Sequence, residues 1–212
     1  MHSVPARRRR LAPAHIPMRA LPVAAVIILA VAACGTEPAS PTAAPHASAA
    51  LASQDPHAGH ASPNVAVTPG HRRVAEQVRQ VTAAFADVAA AKAAGYDLQF
   101  PAGCATSPAG AQGFHYLNRG LVDNRTEVLR PELVMYEPQA DGSMVLVGVD
   151  YIIPFDQWKS PQPPVLLGIP MMRNEPLGVW ALHIWAQRPN PSGLFAAWNP
   201  DVSCQFEGAV TP

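Results

Sequence analysis

Three polar residues interrupt apolar, strand-like stretches of the sequence. His115 lies in FHYLN, Asp150 in VGVDYII and His183 in WALHIWA. Two imidazoles and a carboxylate can bind a divalent metal, since neutral histidine and ionised aspartate are ligands that suit Zn and Cu. The same groups could instead orient a general base or bind a small polar ligand. In a purely structural interpretation, they only form hydrogen bonds inside the core.

Strand alternation decides which residues could share a site with these three. Successive side chains of a strand point to opposite faces. Asp150 then shares a face with the even-numbered residues from 144 to 152, and His183 shares one with Ala181 and Trp185. The opposite faces are wholly apolar, so we assign them to a helix. The polar face is expected on the other side, beneath the proline-rich segment 154–178.

Aromatic side chains next to the polar residues could wall a pocket for a small ligand. Tyr151 and Trp185 are therefore ligand-binding candidates, together with His115, Asp150 and His183. The sequence has no HExxH, GxSxG, Walker or GxGxxG motif, so no catalytic residue is assigned. Enzyme activity stays undecided, with a hydrolase-like His–Asp pair as the enzymatic alternative.

A long helix is predicted before these strands. Thr68 followed by Pro69 favours a helix start, because threonine caps well and proline fits the first helical position. Apolar residues then recur at spacings of three and four as far as Val88, and strong helix formers continue to Gly95. The pattern predicts one helix of about 25 residues that packs through one face.

After this helix, apolar residues recur at every second position, which is typical of strands. Four strands are predicted, at residues 114–118, 133–137, 144–153 and 179–187. The dipeptide Asp141-Gly142 favours a hairpin between the second and third strands. The predicted fold class is α+β, with one long N-terminal helix packed on an antiparallel sheet of four to five strands. Residues 69–212 are predicted to form this single domain.

The first 33 residues have the pattern of a lipoprotein signal peptide. Arginines precede the apolar run LPVAAVIILAVAA at residues 21–33, which is shorter than the about 20 residues of a transmembrane helix. The run ends in VAAC, which resembles the bacterial lipobox. We expect Cys34 to carry a lipid that anchors the protein to a membrane on the extracytoplasmic side. Because Gly35 and not Asp follows, the outer membrane is favoured in a cell with two membranes.

The segment after the signal peptide differs from the domain in composition and charge. Residues 34–68 are rich in Ala, Pro and Ser, which predicts a disordered tether. Five of the 15 basic residues precede Cys34, whereas all 15 acidic residues follow it. The mature chain is therefore acidic, which argues against a nucleic-acid partner.

The cysteines predict one disulfide. With Cys34 lipidated, Cys104 and Cys204 remain as a single pair. Disulfides persist in extracytoplasmic compartments, so we predict that these two residues bond. The alternative, two thiolate metal ligands, lacks the usual CxxC spacing.

Several segments resemble a family of secreted bacterial lipoproteins without an established activity. The segments are AAGY, CATSPAGAQGFHYLN, YEP, VGVDYIIP and NPSGLFAAWNPDVSC, all within residues 75–205. The resemblance implies a single unit that contains both cysteines, and it implies no catalytic residues.

The sequence thus predicts a lipid-anchored extracytoplasmic protein whose α+β domain binds a small polar ligand or a divalent metal. Two alternatives stay open. One is an extracytoplasmic hydrolase-like enzyme, and the other is a structural or interaction module of the cell envelope.

Overall fold

A six-stranded antiparallel sheet dominates the computed structural model, which describes residues 65–210. The strands are β1 (Tyr96–Ser107), β2 (Gly110–Asn118), β3 (Leu133–Pro138), β4 (Met144–Pro154), β5 (Val165–Leu166), β6 (Ile169–Pro170), β7 (Met172–Asn174) and β8 (Val179–Ile184). The order in the main sheet is β1-β2-β3-β4-β8-β7, and β5 and β6 form a separate two-stranded sheet.

The predicted α+β fold class is wrong, because the described chain is mostly β and has no long helix. The expected helix of residues 69–94 is divided into α1 (Pro69–Val81), a 3₁₀ turn (Ala83–Ala86) and α2 (Val88–Ala93). Its predicted start is confirmed, since the Thr68 hydroxyl accepts a hydrogen bond from the His71 N–H at 3.2 Å.

Side-chain hydrogen bonds explain the division of the helix. The Thr82 hydroxyl donates to the Val78 carbonyl at 2.7 Å, a contact that tends to bend helices. The Phe85 carbonyl accepts from the hydroxyl of Tyr136 in β3 at 2.7 Å. Asp87 has an extended backbone and begins α2 as its N-cap, accepting from the Ala89 N–H at 2.9 Å. Apolar spacing cannot detect these breaks, because the stripe continues across them.

The four predicted strands correspond to β2, β3, β4 and β8, with shifted ends. The hairpin between β3 and β4 is also confirmed, and Gly142 adopts a φ of 81° in its turn. The prediction missed β1 and β7, which raise the main sheet to six strands. Residues 154–178, where the sequence predicts no strand, contain β5, β6 and β7.

The two faces of the main sheet carry different cores. On the helix side, α1 packs on a continuous apolar cluster that includes Val78, Tyr136, Val149, Tyr151 and Leu182. The other face carries two smaller apolar clusters. One contains Met135, Val147 and Trp185, and the other contains Leu133, Ile152 and Ala181. The polar residues of interest lie on this second face.

A bulge in β4 changes which residues face the helix. In β3, Met135 pairs with Gly148 of β4, but the next residue, Tyr136, pairs with Leu146. Val147 therefore has no partner in β3 and is the extra residue of the bulge. Because one inserted residue reverses the alternation, Met144 and Leu146 join the helix-side core. Their predicted place beside Asp150 is therefore wrong.

The predicted disulfide is confirmed. Cys104 in β1 bonds to Cys204 in the C-terminal segment, with the Cα atoms 5.7 Å apart.

The predicted signal peptide, Cys34 and most of the tether lie outside the described residues. Within residues 65–210, no helix is both long enough and apolar enough to cross a membrane.

Candidate metal site

Three strands of the main sheet contribute one polar side chain each to a buried cluster. His115 comes from β2, Asp150 from β4 and His183 from β8. Their exposed fractions are 2%, 5% and 1%. One ligand atom of each residue lies within 4.8 Å of the ligand atoms of the other two. The structure thus brings together the three residues that interrupt the apolar runs.

Curling of the sheet makes this cluster. β3 and β4 lie between β2 and β8, so a flat sheet would separate the two histidine-bearing strands by about 14 Å. The ring centroids of His115 and His183 are nevertheless only 5.9 Å apart. The sheet therefore curves towards its polar face until the two imidazoles face each other.

Asp150 and His183 are directly opposite each other in the β4–β8 ladder. The Asp150 Oδ2 and His183 Nε2 atoms are 3.6 Å apart, which is long for a hydrogen bond. Two ligands of a tetrahedral zinc ion, each 2.0–2.1 Å from the metal, would be about 3.3 Å apart. The pair is thus already close to the spacing that a shared ion requires.

Asp150 lies in a place where an ionised carboxylate is costly. Burial raises its pKa to about 8, while hydrogen bonds from the backbone of Tyr151 and Leu182 act in the opposite direction. Its Oδ1 atom accepts no hydrogen bond from any residue between 65 and 210. A bound cation would favour the ionised form, because an opposite charge nearby lowers a carboxyl pKa.

A small cavity of about 10 Å³ lies beside His115 and Asp150, and it has room for about one water molecule. The other residues that line it are Phe100, Pro101, Leu133, Ile152, Asn174, Leu177, Val179 and Ala181. Pockets for drug-sized ligands enclose roughly 300–1,000 Å³. Two of the three candidate ligands, His115 and Asp150, line this cavity, and it has no room for an organic molecule.

The two aromatic candidates have different positions. Tyr151 lies on the helix side of the sheet, and its hydroxyl donates to the Val128 carbonyl at 2.6 Å. Trp185 lies on the polar face, with its ring centroid 6.4 Å from that of His183. Its indole N–H donates to the Ala196 carbonyl at 2.7 Å. Trp185 thus packs beside the cluster, whereas Tyr151 lies away from it.

Asn174 is a cavity residue that the sequence did not indicate. It ends β7, is 1% exposed and accepts a hydrogen bond at Oδ1 from the Leu177 N–H at 3.2 Å. A strand of three residues inside a proline-rich segment is too short to show an alternating pattern. No sequence signal therefore pointed to this residue.

A second buried acid lies near the cluster. Glu132 is 2% exposed, and its Oε2 accepts from the Ile152 N–H at 3.3 Å. Burial raises its pKa to about 8, and the charges of Asp150 and Asp123 add to that rise. Glu132 lies immediately before β3, outside the strand, so alternation does not predict to which face its side chain points.

Comparison with protein-family models, with curated proteins and with solved structures returned no match. The resemblance to secreted bacterial lipoproteins therefore stays a prediction. The geometry supports a coarser statement about function: the described domain carries a buried His115–Asp150–His183 cluster that could hold a metal ion.

Proposed function

We propose that this protein is a lipid-anchored extracytoplasmic protein that binds a divalent metal ion through His115, Asp150 and His183. One observation carries the metal site: two imidazoles and a carboxylate place ligand atoms within 4.8 Å of one another in a buried position. Two nitrogens and one oxygen suit Zn²⁺ or Cu²⁺.

The geometry needs little adjustment to accept such an ion. Ligand atoms around a tetrahedral zinc are about 3.3 Å apart, so the largest separation in the cluster must shorten by about 1.5 Å or less. Small side-chain rotations supply a movement of this size. The cavity beside His115 and Asp150 then accommodates one water molecule as a fourth ligand.

Charge compensation favours the same proposal. A buried, ionised carboxylate is costly unless it is paired or coordinates a metal. A divalent ion would compensate the charge of Asp150 and engage the imidazoles of His115 and His183 at the same time. A His–Asp pair acting on a substrate would need space beside it, and the cavity holds about one water molecule. Metal binding is therefore the function that the geometry supports best.

Metal analysis of the full chain, purified without a histidine tag, tests this site. After loading with Zn²⁺ or Cu²⁺ and removal of free ion, wild type should retain a stoichiometric amount. His183→Ala should retain far less because it loses one ligand of three. His71→Ala is the matched control, since His71 caps α1 outside the cluster and its loss should leave the metal content unchanged. Equal, near-zero metal in all three proteins would leave only the structural interpretation of the cluster.

The lipid anchor needs a separate test. The basic segment, the apolar run and VAAC support lipidation of Cys34. Cys34→Ser should move the protein from the membrane fraction to the soluble extracytoplasmic fraction and abolish incorporation of labelled fatty acid. Unchanged membrane association and labelling would contradict the anchor without affecting the metal site.

A further inference from the structure

Each of the three ligand residues is at most 5% exposed, so an ion needs a route to the cluster. We propose that the ion enters and leaves through the β7–β8 turn, residues 174–178, and that Leu177 is the side chain that closes this entrance. The proposal rests on the metal-binding function proposed above and concerns access to that same site.

Two segments cover the cavity from outside the ligand-bearing strands. The first is the irregular part of β1, which contributes Phe100 and Pro101. The second is the end of β7 with the turn that follows, which contributes Asn174 and Leu177. The remaining lining residues belong to β2, β3, β4 and β8, which form the floor of the site. An entrance must therefore open at one of the two covers.

The β1 cover is anchored to the rest of the domain. Cys104, three residues after Pro101, is bonded to Cys204 and donates its N–H to the Glu207 carboxylate at 2.9 Å. On the other side, the Gln99 amide donates to the Tyr116 hydroxyl at 3.1 Å. Displacing this cover would strain a covalent cross-link and break hydrogen bonds to two other segments.

The β7 cover has weaker ties. β7 has three residues, lies at the edge of the sheet and pairs only with β8. Two hydrogen bonds of its turn are internal: the Leu177 N–H donates to Asn174 at 3.2 Å and the Gly178 N–H to Glu175 at 3.2 Å. Outside the turn, the Phe155 N–H, just after β4, donates to the Gly178 carbonyl at 2.9 Å, and the Arg173 guanidinium of β7 lies 4.1 Å from the centre of the Phe155 ring. Short edge segments of this kind open locally at low free-energy cost.

Opening this turn would expose the site without dismantling it. Asp150 and His183 are held by the β4–β8 ladder, which does not depend on the turn. Leu177 is half-buried and packs against the apolar cluster that contains Leu133 and Ile152. Its side chain therefore fills the entrance, and shortening it should speed entry and exit of the ion together.

Release kinetics test the entrance. Zn²⁺-loaded full-length protein is mixed with an excess of a chromophoric chelator, and the rate of zinc transfer is followed. Leu177→Ala should release zinc about tenfold faster than wild type, which corresponds to a barrier lower by about 1.4 kcal/mol. Its Kd should change much less than its release rate, because all three ligands remain. Leu129→Ala is the matched control, since Leu129 is 45% exposed and does not line the cavity, and it should release zinc at the wild-type rate.

Two results would overturn the entrance. One is a wild-type release rate in Leu177→Ala, and the other is faster release from Phe100→Ala than from Leu177→Ala. Amide hydrogen exchange gives a second, metal-independent measurement, in which Leu177 and Gly178 should exchange faster than Cys104. The reverse order would place the opening at β1. Failure of wild type to bind zinc at all would instead contradict the metal site itself, and the entrance with it.

Discussion

Two buried carboxylates of the main sheet have opposite surroundings. Glu137, near the end of β3, accepts from the Arg188 guanidinium at 2.5 Å and from the Ser203 N–H at 2.9 Å. Asp150 instead has the imidazole of His183 at 3.6 Å and that of His115 in the same cluster. The charge of Glu137 is compensated by a fixed partner of the chain, whereas Asp150 needs a proton or an ion. A buried acid alone thus does not indicate a binding site; its neighbours decide.

Metal-dependent stability should show the largest difference between the two acids. With free Zn²⁺ at about a thousand times its Kd, binding stabilises the folded state by about 4 kcal/mol. Asp150→Asn removes the anionic ligand and should lose most of this gain, whereas Glu137→Gln should keep it. Urea unfolding with zinc and with a chelator measures both. If zinc raised the free energy of unfolding of Asp150→Asn as much as that of wild type, Asp150 would not be a ligand.

The metal-free protein should show the opposite ranking. Glu137→Gln removes the charge that compensates Arg188 and weakens the bond to Ser203, so it should lower the free energy of unfolding by about 2 kcal/mol. Asp150→Asn should change it by less, because burial raises the Asp150 pKa to about 8, so the substitution replaces a carboxyl that is mainly uncharged at neutral pH with an uncharged amide. Urea unfolding at neutral pH with chelator present measures the two values. Equal losses would remove the distinction between the two acids.

The pH dependence of metal-free stability should reveal the raised pKa of Asp150. Because burial raises the Asp150 pKa from 3.8 to about 8, the folded state keeps a proton that the unfolded state releases. This contribution to stability is present below pH 4 and is lost as the pH rises through about 8, by at most about 1.4 kcal/mol per pH unit. Glu132 adds a contribution of the same sign.

Unfolding of metal-free protein from pH 5 to pH 8 measures this slope. Asp150→Asn should make this slope shallower, and the part that Glu132 contributes should remain. An identical slope in wild type and Asp150→Asn would contradict the raised pKa of Asp150.

The smallest expected effect sharpens the comparison between the two faces of the sheet. Tyr151→Phe removes the hydrogen bond from the hydroxyl to the Val128 carbonyl and should cost about 1 kcal/mol of stability. Because Tyr151 lies on the helix side, the zinc affinity of the Tyr151→Phe protein should equal that of wild type. A weakened affinity would indicate that the helix-side core controls the position of Asp150.

Local patterns predicted part of the fold. The cap at Thr68, the hairpin at Asp141-Gly142 and four strand cores each depend on residues close in sequence, and all are present. The patterns failed where distant contacts decide. The helix is divided near Phe85 by the hydroxyl of Tyr136, 51 residues away. β7 exists because β8 pairs with it, and its three residues have no pattern of their own.

The candidate site shows the same division. Alternation correctly placed both Asp150 and His183 on the face away from α1, because a strand's period of two is a local property. It misplaced Met144 and Leu146, because the bulge at Val147 arises from pairing with β3. Alternation also could not indicate how near His115 in β2 would lie to His183 in β8, since two strands separate β2 from β8.

The sequence by itself thus determined which residues are polar within apolar strands, which face each occupies near its own position, and that Cys104 and Cys204 form a pair. These properties follow from side-chain chemistry and short-range backbone geometry. Only the tertiary structure decided that His115, Asp150 and His183 form one cluster, and that its cavity holds about one water molecule. Both depend on the curl of the sheet and on the covers from β1 and β7, which arise from contacts between residues far apart in the chain.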